Sequence, residues 1–173
     1  MGFVVPRRAE GPKAHLPVVL MLDRSGSTQD IRALLNQCSR RLLQSMKEEI
    51  VFRGIVELLV ILYSSDYQTA VDFKSLEQVQ EYELDIPESR GFTETGRALL
   101  YALKRLDEKK AEWKTKGERY YQPLLFLLTD GYPDAGLNAP PAVEEAVQRT
   151  YAAAAAEIRR REQEKKLVFL AAG

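Results

Sequence analysis

Apolar positions along this chain alternate between two kinds of pattern. Leu16 to Leu22, Ile55 to Tyr63 and Leu124 to Leu128 are short, almost unbroken apolar runs closed by polar residues. Runs of that kind predict strands buried on both faces. Between them the spacing becomes helical. Ile31, Leu34, Leu35, Cys38, Leu42 and Met46 mark one predicted helix face, which places Cys38 in the core as an inert thiol. Leu99, Leu103, Leu106 and Trp113 mark a second helix, opened by Thr95-Gly96. A third, from about 142 to 165, carries Val143, Val147, Tyr151, Ala154 and Ile158 inward. Its run of alanines, 152 to 156, suits either close approach to a sheet or simple helix propensity. Gln68 to Phe73 is half-polar and follows the turn Ser64-Ser65-Asp66, which predicts an antiparallel edge strand in a hairpin. Residues 74–90 read as polar and mixed, with room for a short helical turn. Leu167 to Leu170 reads as a last strand.

Strands alternating with helices predict an α/β fold: a mostly parallel sheet, one antiparallel edge strand, and helices on both faces. Such sheets collect ligands at the carboxyl ends of their strands. Asp23 and Asp130 each close a predicted buried strand. If those strands are parallel neighbours, the two carboxylates share one rim.

Composition narrows the function classes. A length of 173 residues favours one domain, here 16–173, with 1–15 as a flexible lead-in. Twenty-five basic and 25 acidic residues cancel, so no overall field favours nucleic acid or an anionic membrane. One cysteine and one histidine, Cys38 and His15, give neither a disulfide framework nor a His/Cys metal cluster. No apolar run is long enough to span a bilayer, and the first residues lack the order of a signal peptide, so the expected location is cytoplasmic.

The candidate chemistry lies in three segments. Asp23-Arg24-Ser25-Gly26-Ser27 follows the first buried strand directly. Thr93 sits in Gly91-Phe92-Thr93-Glu94-Thr95-Gly96, and Asp130 in Thr129-Asp130-Gly131. Hard oxygens on a rigid rim suit a small divalent cation. Taken alone, Ser25 and Ser27 are equally explained as turn and helix-cap residues, and Ser27-Thr28-Gln29-Asp30 resembles a capping arrangement. Glu94, Asp134, Asp66 and Asp72 read as solvated.

Together the three segments resemble the metal-ion-dependent adhesion site (MIDAS) of the von Willebrand factor type A (VWA) family, whose pattern is D-x-S-x-S, then G-x-T-x-T-G or a close variant, then an apolar strand ending T-D-G. The match runs from Leu16 to Leu170, and the closer resemblance is to cytoplasmic bacterial VWA proteins associated with tellurite resistance. It implies a Rossmann-like three-layer fold. It implies Mg2+, with Mn2+ or Ca2+ as alternatives, bound by the hydroxyls of Ser25, Ser27 and Thr93, with Asp23 and Asp130 acting mostly through water. It further implies a non-enzymatic module that grips a Glu or Asp of a partner protein, within a bacterial stress-response or multiprotein assembly. Two alternatives stand beside it: a magnesium-dependent phosphoryl-transfer enzyme, and a structural domain whose metal site is empty. Arg24 and Thr28 depart from the family pattern; Arg24 is expected to meet a partner carboxylate or to point into solvent. The resemblance also implies a further strand and helix after Leu170. The sequence as given has neither, so the C-terminal sheet edge is expected to make a second contact with a partner or another copy.

Overall fold

The computed structural model describes residues 13–131 and 133–172. Five strands form the main sheet path: β1 (Ala14–Asp23), β2 (Val56–Tyr63), β3 (Tyr67–Ser75), β5 (Leu124–Leu128) and β6 (Val168–Ala172), while the two-residue β4 (Arg119–Tyr120) pairs with the start of β1. The order is β3-β2-β1-β5-β6, with β2 and β3 antiparallel and the other pairs parallel. The α/β expectation with one antiparallel edge strand therefore holds. β1 starts before the expected Leu16 because Ala14 and His15 pair with β4. The rest of the expected lead-in, 1–12, lies outside the described residues.

Two hydrophobic layers sandwich the sheet. On one side Val19, Met21, Leu59, Ile61, Tyr63, Leu125 and Leu127 pack against α2 (Thr95–Thr115) and α3 (Pro141–Gln163). The alternate residues, Val18, Leu20, Leu22, Leu58, Val60 and Leu62, pack against α1 (Arg32–Glu48) and the segment after β3. Period-two alternation thus feeds both cores, which is why the strands read as continuous apolar runs.

Three local expectations change. The buried face of α1 is Leu35, Ser39, Leu43 and Met46, while Cys38 is exposed and Leu34 is 55% exposed. The stripe is rotated by about one residue because it includes Ser39, which sits inside by donating its hydroxyl to the Asn36 carbonyl at 3.0 Å. Residues 74–90 are not merely polar, since Leu76, Val79, Leu84 and Ile86 are buried from two short 3-10 turns. His15 lies within β1, stacked on Trp113 with ring centroids 4.5 Å apart. Eight residues of extended chain, about 26 Å, separate it from Asp23 at the other end of the strand.

The helical layer is tied closely to the rim. A Cβ at Gly96 would stand 2.5 Å from the Tyr151 backbone nitrogen, so glycine allows α3 to lie directly on the first turn of α2. Of the alanines 152–156, only Ala154 is fully buried, so most of that run faces outward. Among the described residues, no helix is long and apolar enough to cross a membrane.

Candidate metal centre

Parallel pairing brings the chemistry together. Asp23 at the end of β1 is in register with Tyr63 of β2, and Leu22 with Leu128 of β5. The chain leaving β5, Thr129-Asp130, therefore emerges beside Asp23. The Asp23 side chain is fully buried. Its Oδ1 accepts the Ser25 N–H at 2.8 Å, and its Oδ2 accepts the Thr129 hydroxyl at 2.7 Å. Ser25 Oγ and Ser27 Oγ are 3.0 Å apart, and Ser27 Oγ donates to Asp130 Oδ1 at 3.0 Å. Ser25, Ser27 and Asp130 thus form one connected run of side-chain oxygens, to which Asp23 is tied through the Ser25 amide.

Neither serine caps a helix. No side-chain cap bond is made at the start of the 3-10 turn Gly26–Asp30 or of α1. The sequence-level alternative for Ser27 fails because its hydroxyl points across to Asp130, 103 residues away in the chain.

Thr93 is held by its backbone. Its N–H and C=O pair with Asp134 in both directions, each at 3.0 Å. Gly26 N–H donates to the Gly91 carbonyl at 3.0 Å, joining the Thr93 segment to the serine loop. Thr93 is 5% exposed, and among the described residues its hydroxyl has no hydrogen-bond partner. It is part of the rim without a direct bond to the other four side chains.

Burial pushes the Asp23 carboxyl above its ordinary range. The hydrogen bonds from Thr129 and Ser25 oppose that rise, and the neighbouring charge of Asp130 adds to it. Burial, with Asp23 close by, also raises the Tyr63 hydroxyl. Among the described residues, no cationic side chain pairs with Asp23.

Three side chains escaped the sequence reading. Thr129 precedes the expected Asp130 and fixes Asp23 directly, so its signal was the first letter of T-D-G. Asp134 is exposed, as expected, yet its backbone aligns Thr93. Arg24 neither faces solvent nor waits for a partner. It is 3% exposed, and its guanidinium donates to Asp66 Oδ1 at 2.6 Å.

The donors fit a hard cation: two carboxylates and three hydroxyls, all oxygen. Among the described residues there is no cluster of three or more His, Cys, Asp or Glu, so softer or more highly charged donor sets do not compete. Neutral hydroxyls dominate the set, and the unpartnered Thr93 hydroxyl leaves a donor free for a ligand.

Comparison with known proteins gives the family and the fold. The model of the von Willebrand factor type A domain matches residues 18–173. The chain belongs to the VWA family. Proximal thread matrix protein 1 from the mussel byssus is similar in fold, with a TM-score of 0.57 at 20% identity over 94% of this chain. A form of that mussel protein with a zinc-occupied MIDAS motif gives a TM-score of 0.55 at 20% identity, covering 94% of this chain and 39% of the mussel chain. The PilB minor pilin of Streptococcus sanguinis gives 0.61 at 11% identity, over 96% of this chain and 58% of the pilin. This VWA chain spans 38% of the length of the first mussel structure. No curated protein sequence matches it.

Proposed function

We propose that this VWA domain is a binding module that grips an acidic side chain of another protein through a divalent cation, magnesium foremost. Ser25, Ser27 and Thr93 would hold the ion through their hydroxyls, and Asp23 and Asp130 through water. The observation that carries this reading is the Ser27–Asp130 bond, which joins two distant motifs into one cluster of oxygens. When bound, the ion would supply a Lewis-acidic position for a Glu or Asp of the partner. The residues of the chain do the rest. Neutral serine and threonine hydroxyls leave most of the ion's charge uncancelled. Thr129 and the Ser25 amide fix both oxygens of Asp23, so the rim is arranged before any ligand arrives. Domains of this family are as a rule non-catalytic binding modules.

The proposal extends to the setting. An intracellular bacterial assembly, of the stress-response kind, rests on the sequence resemblance alone. A second contact at β6 is supported by its position at the sheet edge and by Leu170, which is 47% exposed. Affinity capture with and without EDTA tests the main claim. A partner retained in magnesium, released by EDTA and lost with Asp130→Ala supports the metal bridge. A partner retained in EDTA places the interface elsewhere.

A further inference from the structure

We propose that Arg24 is the positioning residue of the cation site: its half-buried ion pair with Asp66 latches the serine loop to the β2–β3 turn and, through that turn, fixes Thr93. The inference rests on the metal reading above and assigns a role to a side chain inside the motif that is not itself a ligand.

Three loops meet at Arg24. Its N–H donates to the Tyr63 carbonyl at 2.8 Å, and its own carbonyl accepts the Arg90 N–H at 2.7 Å. Its guanidinium reaches Asp66 in the β2–β3 turn. Asp66 in turn organises that turn: Ser64 Oγ donates to Asp66 Oδ1 at 3.0 Å, and Ser64 N–H donates to the Asp66 carbonyl at 2.7 Å. The Ser64 carbonyl then accepts the Glu94 N–H at 3.0 Å. Thr93 therefore lies between two anchors. Upstream, Arg90 and Gly91 are tied to Arg24 and Gly26. Downstream, Glu94 is tied to Ser64. Among the described residues, the shortest side-chain link between these loops is Arg24–Asp66 at 2.6 Å; Arg90 lies 3.9 Å from Asp66, and Thr28 Oγ1 lies 3.0 Å from Ser89 Oγ. Gly91 tightens the junction further: its φ is +76°, and a Cβ there would stand 2.5 Å from Ser65 Oγ in the β2–β3 turn.

A rival effect is electrostatic. A guanidinium near a cation site repels the cation, so its removal would strengthen metal binding. Asp66 cancels that charge locally, and the nearby Arg90 guanidinium, 3.9 Å from Asp66, is itself paired with Glu88 at 3.1 Å. Replacing both members of the Arg24–Asp66 pair by apolar residues removes the latch without changing net charge. The single changes differ. Arg24→Met leaves an Asp66 whose side chain is 59% exposed and readily hydrated, whereas Asp66→Leu strands a guanidinium that is 4% exposed. Asp66→Leu should therefore lower the melting temperature more than Arg24→Met.

The test is a calorimetric titration with Mn2+ alone on the full chain. Arg24→Met/Asp66→Leu should weaken Mn2+ binding about tenfold or more, the range for residues that orient metal ligands. In a Thr93→Ala background the same pair of changes should cost less than about threefold, because the ligand it positions is gone. In a Ser27→Ala background it should keep its full effect. Hydrogen exchange of the metal-free protein gives a second readout: the Arg90 and Glu94 amides should exchange faster in the double variant, with β5 amides unchanged. Unchanged or tighter Mn2+ binding in the double variant overturns the proposal, and so does a full effect in the Thr93→Ala background. If the unmodified protein binds no Mn2+, the metal reading falls and this inference with it. If it binds Mn2+ and the double variant binds equally well, only this inference falls.

Discussion

Asp23 and Glu157 are two acidic side chains whose surroundings push them in opposite directions. Glu157, on α3, is clamped by Arg160 and then by Arg161, with contacts of 2.6 to 2.9 Å, and these hold its carboxyl down to about 2. Asp23 has hydroxyl and amide donors and, among the described residues, no cation, and burial holds its carboxyl up. The charge of Glu157 is neutralised within the fold. That of Asp23 meets no cation among the described residues. The difference separates a structural carboxylate from one arranged for a ligand.

The largest expected effect cuts the link between the two motifs. Asp130→Ala removes both a carboxylate and the Ser27 hydrogen-bond acceptor, and should weaken Mg2+ or Mn2+ binding by about 100-fold or more. Titration calorimetry would show it, and near-UV dichroism should show the fold intact. Next comes pH. Because the folded-state carboxyl of Asp23 is raised, its contribution to metal-free stability is present below the unfolded value and is lost as pH rises through the folded one. A cation needs the ionised form. Metal affinity should therefore rise with pH across the same window, by at most about tenfold per unit, and metal-induced stabilisation in thermal melts should grow with it. Glu157 behaves with the opposite sign. Its stabilisation is present above the ordinary carboxylate range and fades as pH falls toward about 2. Glu157→Gln, a partly exposed helix pair, should cost about 0.5 kcal/mol near neutral pH. It should leave metal affinity unchanged. A shift in metal affinity would show that the two regions are coupled after all.

The same contrast explains what the sequence made legible. Asp23, Ser25 and Ser27 are neighbours in the chain, and Asp130 closes an apolar run that a parallel sheet places next to the first. Local motif and strand period were enough. Arg24 was illegible because its partner, Asp66, comes from a turn 42 residues away, and only the pairing of β1 with β2 sets them together. Cys38 was misplaced because a polar residue, Ser39, holds the true buried stripe. Leu76, Val79, Leu84 and Ile86 went unread because short 3-10 turns impose neither a strand nor a helix period. Thr129 shows a milder case: the motif was seen, but the anchoring of Asp23 by its first residue needs the geometry of two strand ends.

The central claim is that Asp23 carries a negative charge arranged for a cation, and one measurement addresses it directly. Mn2+ is titrated calorimetrically into the full chain and into Asp23→Ala at neutral pH. One saturable site per chain in the unmodified protein, with binding lost in Asp23→Ala, is the predicted result; equal binding in the two proteins would contradict it.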